Sequence, residues 1–213
     1  MFANPSLYVL IDSVDYLSDP AAPALNHLID QLICAGVEWI QLRDKRLDDR
    51  QLLTVARMLV DRVRDQPSTF LIVNDRVDIA ILSDAAGVHL GQEDLSIEDA
   101  RQLLPVGKVI GVSTHSLQQA VQAANSGADY IGIGPVFPSG TKCFGSFIDL
   151  ELVAAVAQRV KCPVYAIGGI DLENVDQIVA QGVRRIAVGG AVTTQTESEA
   201  AARCLLTSLN QGL

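Results

Sequence analysis

The chain lacks any run of about 18 apolar residues, so no membrane-spanning helix is expected. The opening Met1-Phe-Ala-Asn-Pro5 has no basic segment followed by an apolar one, and no secretory signal is expected there. Cysteine is sparse. Cys34, Cys143, Cys162 and Cys204 stand without a paired spacing, which speaks against a disulfide frame or a zinc site and for a reduced, cytoplasmic compartment. Positive charge is also short. The 16 Lys and Arg face 25 Asp and Glu, leaving a net charge of −9 and disfavouring nucleic acid as a partner. No Cys–His or Ser–His–Asp arrangement argues for covalent catalysis. No linker or low-complexity stretch divides the 213 residues, so one domain over 1–213 is expected.

What the chain does have is apolar sequence in short pieces. Hydrophobic residues make up 49% and charged residues 19%, enough for a large core. Eight brief apolar runs read as strands: Leu7 to Asp12, Val37 to Leu42, Phe70 to Val73, Gly87 to Leu90, Val109 to Val112, Tyr130 to Gly134, Pro163 to Ile167, and Arg185 to Val188. Between them lie segments with helical spacing. Leu25, Leu28, Ile29 and Leu32 share one face, as do Leu52, Val55, Leu59 and Val63. Ser96 reads as a helix N-cap with Asp99 three residues on, and Asp171 as the cap of a helix reaching about Gln181. Strands alternating with amphipathic helices imply a parallel sheet covered by helices. Eight such units in this length predict an α/β fold, a single (β/α)8 TIM barrel. An open doubly wound sheet usually carries a glycine fingerprint after its first strand, and Ile11-Asp-Ser-Val14 has none.

In such a barrel the chemistry sits at the C-terminal ends of the strands. The second strand delivers Gln41, Arg43 and Lys45, the third Asn74 and Asp75, and the fourth His89 and Asp94. The fifth delivers Ser113, Thr114 and His115, and the sixth a proline-braced loop with Ser139, Thr141 and Lys142. Acids among cations suit a divalent metal bound to a pyrophosphate. Magnesium takes one or two carboxylates, here Asp75 and Asp94, and fills its other positions with phosphate oxygens and water. Arg43, Lys45 and Lys142 can neutralise the outer oxygens. The bland alternatives are N-capping for the two aspartates and a solvated charge run for Arg43-Asp44-Lys45. Gly168-Gly169 and Gly189-Gly190 follow the seventh and eighth strands, where barrels often bind a phosphate through backbone N–H groups. His89 reads either as a core histidine or as a substrate hydrogen bond.

Six stretches, taken in order, resemble the thiamine phosphate synthase family. They are Gln41-Leu-Arg-Asp-Lys45, Asn74-Asp75-Arg76, Val88-His-Leu-Gly-Gln-Glu-Asp94, Gly111-Val-Ser-Thr-His115, Gly134-Pro-Val-Phe-Pro-Ser-Gly-Thr-Lys142 and Ala166-Ile-Gly-Gly169. The resemblance covers nearly the whole chain. It implies a transferase that joins 4-amino-2-methyl-5-hydroxymethylpyrimidine diphosphate to a thiazole ethyl phosphate, releasing pyrophosphate and needing Mg2+. It further implies that Asp75 and Asp94 hold the metal, and that Gln41, Arg43, Lys45, Asn74, Ser113 and Lys142 hold the diphosphate. Lys142, Arg43 and Ser113 would then be catalytic. Ser139, Thr141, Gly169, Val188, Gly189 and Gly190 would hold the thiazole phosphate. The implied partners are small molecules, with neither nucleic acid nor membrane, and a homo-oligomer is allowed. Ser139-Gly-Thr-Lys142 stands where the family has Thr-x-Thr-Lys, and the serine keeps a hydroxyl. Two alternatives remain open: a thiazole tautomerase of the same fold, and a non-catalytic phosphate-binding barrel.

Overall fold

The computed structural model describes residues 5–13, 23–138 and 147–210. Eight parallel strands close on one another in chain order: β1 (Leu7–Ile11), β2 (Trp39–Leu42), β3 (Phe70–Asn74), β4 (Gly87–Leu90), β5 (Val109–Thr114), β6 (Tyr130–Ile133), β7 (Val164–Ile167) and β8 (Ile186–Val188). β1 pairs with β8, which seals the barrel and leaves no open sheet edge. The helices between them are α1 (Pro23–Ala35), α2 (Asp49–Val63), α3 (Val77–Ser83), α4 (Ile97–Leu103), α5 (Leu117–Asn125), α6 (Leu150–Arg159) and α7 (Val175–Ala180). A short α8 (Gly190–Thr193) and the closing α9 (Ser198–Asn210) follow β8. The expected TIM barrel is the fold observed. No helix among the described residues is long and apolar enough to cross a membrane.

The alternation of strand side chains divides the core in two. Outward residues such as Val9, Ile40, Val73, Val88 and Ile131 pack under the helices, against Leu28, Leu32, Leu52 and Leu59. Inward residues form a second cluster of Tyr8, Trp39, Ile72, Tyr130, Tyr165 and Ala187. Tyr8 sits at its centre, with ring centroids 5.6 Å from Trp39, 5.7 Å from Tyr130 and 5.7 Å from Tyr165, all edge-on. Four aromatic rings therefore plug the barrel, in the orientations aromatic quadrupoles favour. Space for them comes from glycine. A Cβ on Gly111 would lie 2.0 Å from Tyr130 Cζ.

Helix starts follow local chemistry. Asp48 accepts from Gln51 N while Gln51 Oε1 accepts from Asp48 N, a reciprocal cap for α2. Ser96 caps α4 through Asp99 N, as its sequence position predicts. Asp171 opens the segment leading to Gln181 with a reciprocal pair of cap-type bonds, although regular helix begins only later. Its carboxylate accepts from Glu173 N, while Asn174 Oδ1 accepts from Asp171 N. This tight turn uses up residues 171–174, so α7 opens only at Val175 and stops at Ala180. The fifth strand also runs further than its apolar pattern suggests, taking in Ser113 and Thr114.

Candidate active site at the C-terminal mouth

The third and fourth strands bring the two candidate metal ligands together. Asp75 follows β3 with φ 61°, a left-handed conformation that few side chains other than Asp and Asn accept readily. Its backbone N–H donates to His89 O at 2.8 Å, which ties that bend to β4. Its carboxyl lies within hydrogen-bond reach of Asp94, and Lys45 Nζ is 3.4 Å away. Burial first, then the Asp94 carboxyl, pushes the Asp75 pKa above the ordinary carboxylate value, and Lys45 pulls it back. Two carboxylates held against each other beside a cation form a site short of positive charge.

Neither aspartate is a helix cap. The N-cap of α3 is Arg76, which makes no side-chain cap bond, and that of α4 is Ser96. Asp94 Oδ2 instead accepts from Gly91 N at 2.6 Å, closing the turn that aims the carboxylate. Among the described residues there is no group of three or more His, Cys, Asp or Glu able to hold a metal. A pair of carboxylates fits Mg2+, which draws its remaining ligands from phosphate and water.

The charge run after β2 is tied down residue by residue. Arg43 Nη1 lies 3.6 Å from Asp12 Oδ1 at the end of β1. Asp44 is buried, accepting from Ser13 Oγ at 3.1 Å and from Arg46 N at 3.0 Å. Lys45 is left on the mouth side, facing Asp75. Arg76, by contrast, is a structural anchor, held by Asp49 at 2.5 Å and Asp78 at 2.6 Å.

Beneath these charges lies a polar layer. His89 is buried, with Nδ1 3.0 Å from Tyr130 Oη and Nε2 2.8 Å from Ser113 Oγ. Burial lowers its pKa to about 4, so the ring is neutral at physiological pH. Asn74 ends β3 in register with His89. Gln41 is also buried, and its Nε2 donates to Tyr8 Oη at 2.7 Å, below the mouth rather than into it. Thr114 turns away from the site and donates to Gly132 O at 3.0 Å. His115 contacts Gly134 O through Nδ1 at 2.6 Å.

The other side of the mouth is built on glycine. Gly168 and Gly169 have φ of 101° and 65°. A Cβ on Gly169 would meet Pro138 O at 2.2 Å and Phe137 O at 2.4 Å, so the loop leaving β6 lies directly on it. Asn174 Nδ2 donates to Gly169 O at 2.8 Å and fixes the turn from below. Val188 ends β8, Gly189 precedes α8, and Gly190 begins it. Ser139, Thr141 and Lys142 lie outside the described residues. Tyr8 and Tyr130, which no motif in the sequence marks, belong to the buried layer under the mouth. Their signal was the inward parity of Tyr130 with Gly132, since a glycine facing into a barrel leaves room for something large.

Residues 7–192 match the family model described as thiamine monophosphate synthase. A thiamine-phosphate synthase of Methanocella arvoryzae is 41% identical over 208 residues, covering 96% of this chain and 95% of that one. A thiamine-phosphate synthase of Synechococcus sp. is 42% identical over 185 residues, covering 87% of this chain; the chain spans only 52% of that longer relative. Among solved structures, thiamine phosphate pyrophosphorylase from Pyrococcus furiosus superposes with a TM-score of 0.82 at 33% identity, covering 96% of this chain and 95% of that one.

Proposed function

Since the chain belongs to the thiamine monophosphate synthase family, we propose that it joins a pyrimidine methyl diphosphate to a thiazole ethyl phosphate, giving thiamine phosphate and pyrophosphate. The observation that carries this reading is the Asp75–Asp94 pair beside Lys45 at the barrel mouth. Asp75 and Asp94 would hold Mg2+, which when bound supplies positive charge to the leaving pyrophosphate. Arg43, Lys45 and Lys142 would bind its outer oxygens, with Asn74 and the Ser113 hydroxyl completing the grip. Gln41 supports this half from below, through Tyr8. Ser139, Thr141, Gly169, Val188, Gly189 and Gly190 would receive the thiazole phosphate, largely through backbone N–H groups.

The chemistry asks little covalent work of the protein. Cleavage of the C–O bond leaves a pyrimidinyl-methyl cation whose charge the aminopyrimidine ring shares, and the thiazole nitrogen captures it. The protein aligns the two reactants and keeps water out. Coupling both substrates with and without magnesium tests the proposal. Metal-dependent formation of thiamine phosphate supports it. Isomerisation of the thiazole alone, or binding without turnover, would replace it with another reading.

Two variants divide the roles. Lys142→Ala is expected to lower kcat by about tenfold or more with little change in thiazole KM, because leaving-group charge grows on the way to the transition state. An unchanged kcat with a raised thiazole KM would move Lys142 to the other phosphate. Gly190→Asp is expected to raise thiazole KM strongly and barely alter diphosphate affinity. Calorimetry with each ligand separately checks this, and equal weakening of both would end the division of the mouth into two halves.

A further inference from the structure

The polar layer under the mouth is one continuous chain of hydrogen bonds. Gln41 Nε2 reaches Tyr8 Oη at 2.7 Å, and Tyr8 Oη reaches Tyr130 Oη at 2.9 Å. Tyr130 Oη lies 3.0 Å from His89 Nδ1, and His89 Nε2 lies 2.8 Å from Ser113 Oγ. The chain thus crosses the barrel from β2 through β1, β6 and β4 to β5. Gly132 faces the same layer, and a Cβ there would stand 3.4 Å from His89 Cε1.

Counting donors favours one direction along the chain. Tyr8 is buried and accepts from Gln41, so its own proton needs an acceptor. Among the described residues its only other hydrogen-bond partner is Tyr130. Tyr8 therefore donates to Tyr130. Tyr130, equally buried, then has His89 Nδ1 as the acceptor for its proton. With Nδ1 accepting, the imidazole proton sits on Nε2 and is donated to Ser113 Oγ. The opposite direction strands the Tyr8 proton in the core, and so does a doubly protonated His89. Turning the Gln41 amide around would relieve Tyr8, but it would put an unpartnered NH2 in place of the unpartnered Gln41 Oε1, in a core where Trp39 Nε1 and Tyr165 Oη already lack partners. Buried orphan N–H groups are rarer than under-satisfied carbonyls.

We propose that Gln41, Tyr8, Tyr130 and His89 are positioning residues that commit the Ser113 hydroxyl to donate into the mouth, towards an anionic phosphate oxygen. The target rests on the pyrimidine diphosphate reading; the polarity does not. With one of its two lone pairs taken by His89 Nε2–H, Ser113 keeps its proton free to turn into the mouth. The reversed chain would spend that proton on His89 and present oxygen lone pairs to an anion. The layer thereby keeps the Ser113 proton available to an anion instead of spending it on His89.

The test has two arms. In the first, histidine is 15N-labelled in the whole chain, which has three histidines, and His89 is assigned by its loss in His89→Gln. Long-range proton–nitrogen correlation at neutral pH is expected to show Nε2 protonated and Nδ1 bare. Protonation at Nδ1, or at both nitrogens, overturns the proposal. This arm needs neither substrate nor metal, so it fails separately from the coupling activity. In the second arm, His89→Gln keeps an N–H near the place of Nε2 and His89→Leu does not. His89→Gln is expected to exceed His89→Leu by about tenfold in kcat/KM for the diphosphate, the scale of one charge-assisted hydrogen bond, with thiazole KM alike in both. Equal losses in the two variants would reduce His89 to a space-filling residue and overturn the proposal. If His89→Leu does not fold, the nitrogen spectrum decides alone.

Discussion

Asp94→Asn is expected to lower coupling by about a hundredfold or more, roughly 2.7 kcal/mol of transition-state stabilisation, and at the same time to raise the melting temperature of the metal-free protein. The two effects have one cause. Asp75 and Asp94 lie within hydrogen-bond reach, and the Asp75 pKa is raised by burial and then by Asp94. A carboxyl whose folded-state pKa exceeds its unfolded value binds protons more tightly when folded. Its ionisation therefore costs stability as pH rises through the carboxylate range, and the cost is fully present at neutral pH. Asparagine removes the neighbouring charge while its Oδ1 still accepts from Gly91 N, which keeps the turn. The thermal gain should appear at neutral pH and vanish in acid, where both carboxyls are protonated in either state. Melting curves of the metal-free proteins across pH, beside a coupling assay in limiting magnesium, measure both. Full activity in Asp94→Asn would remove the metal assignment, and a lower neutral-pH melting temperature would remove the repulsion.

Gly111→Ala should damage the inner core by a single methyl. Its Cβ would lie 2.0 Å from Tyr130 Cζ and 2.4 Å from Tyr130 Oη, far inside contact distance. Tyr130 cannot retreat, because its ring packs edge-on to Tyr8 and Tyr165 and its centroid is 4.8 Å from that of Trp39. Overpacking of this kind costs about 3 kcal/mol. For a chain of this size that is a fall in melting temperature of roughly 6–12 °C. The second variant Gly111→Ala/Tyr130→Leu, which shortens the obstructing side chain, should regain part of the loss relative to Tyr130→Leu alone. An unchanged melting temperature in Gly111→Ala would show that the ring has somewhere to go.

Much of this was legible in the sequence because period and punctuation carry it. Short apolar strands and faces such as Leu52, Val55, Leu59 and Val63 repeat often enough to specify a barrel, and all four of those residues are buried in α2. Strand ends then located Asp75, Asp94 and Lys45, because the fold places every strand end at one mouth. What the sequence did not disclose depends on contacts between distant residues. Tyr8 and Tyr130 are 122 positions apart and meet only when β1 and β6 face each other across the barrel. Gln41 stands in the stretch that supplies the mouth's cations, yet strand alternation turns it inward to Tyr8. Asp171 makes cap-type bonds with Glu173 N and Asn174, yet regular helix starts only at Val175, an offset no periodicity reveals.

The loop leaving β6 rests on the turn after β7. Val136 N donates to Ile167 O at 3.1 Å, and Phe137 N to Gly168 O at 3.0 Å. These are main-chain bonds, so among side-chain choices at 136 and 137 only proline, which lacks the N–H, would sever them. Two loops joined in this way inherit change together. A mutation at Gly169 strikes the carbonyls of Phe137 and Pro138 before it meets any ligand, and Pro138 is covalently followed by the stretch that ends in Lys142. A lineage, or an engineer, wishing to admit a different second substrate therefore has unequal freedom around the rim. Variation at Gly190 falls at the start of α8, whereas variation at Gly169 strikes Phe137 and Pro138, which lead in sequence to the lysine.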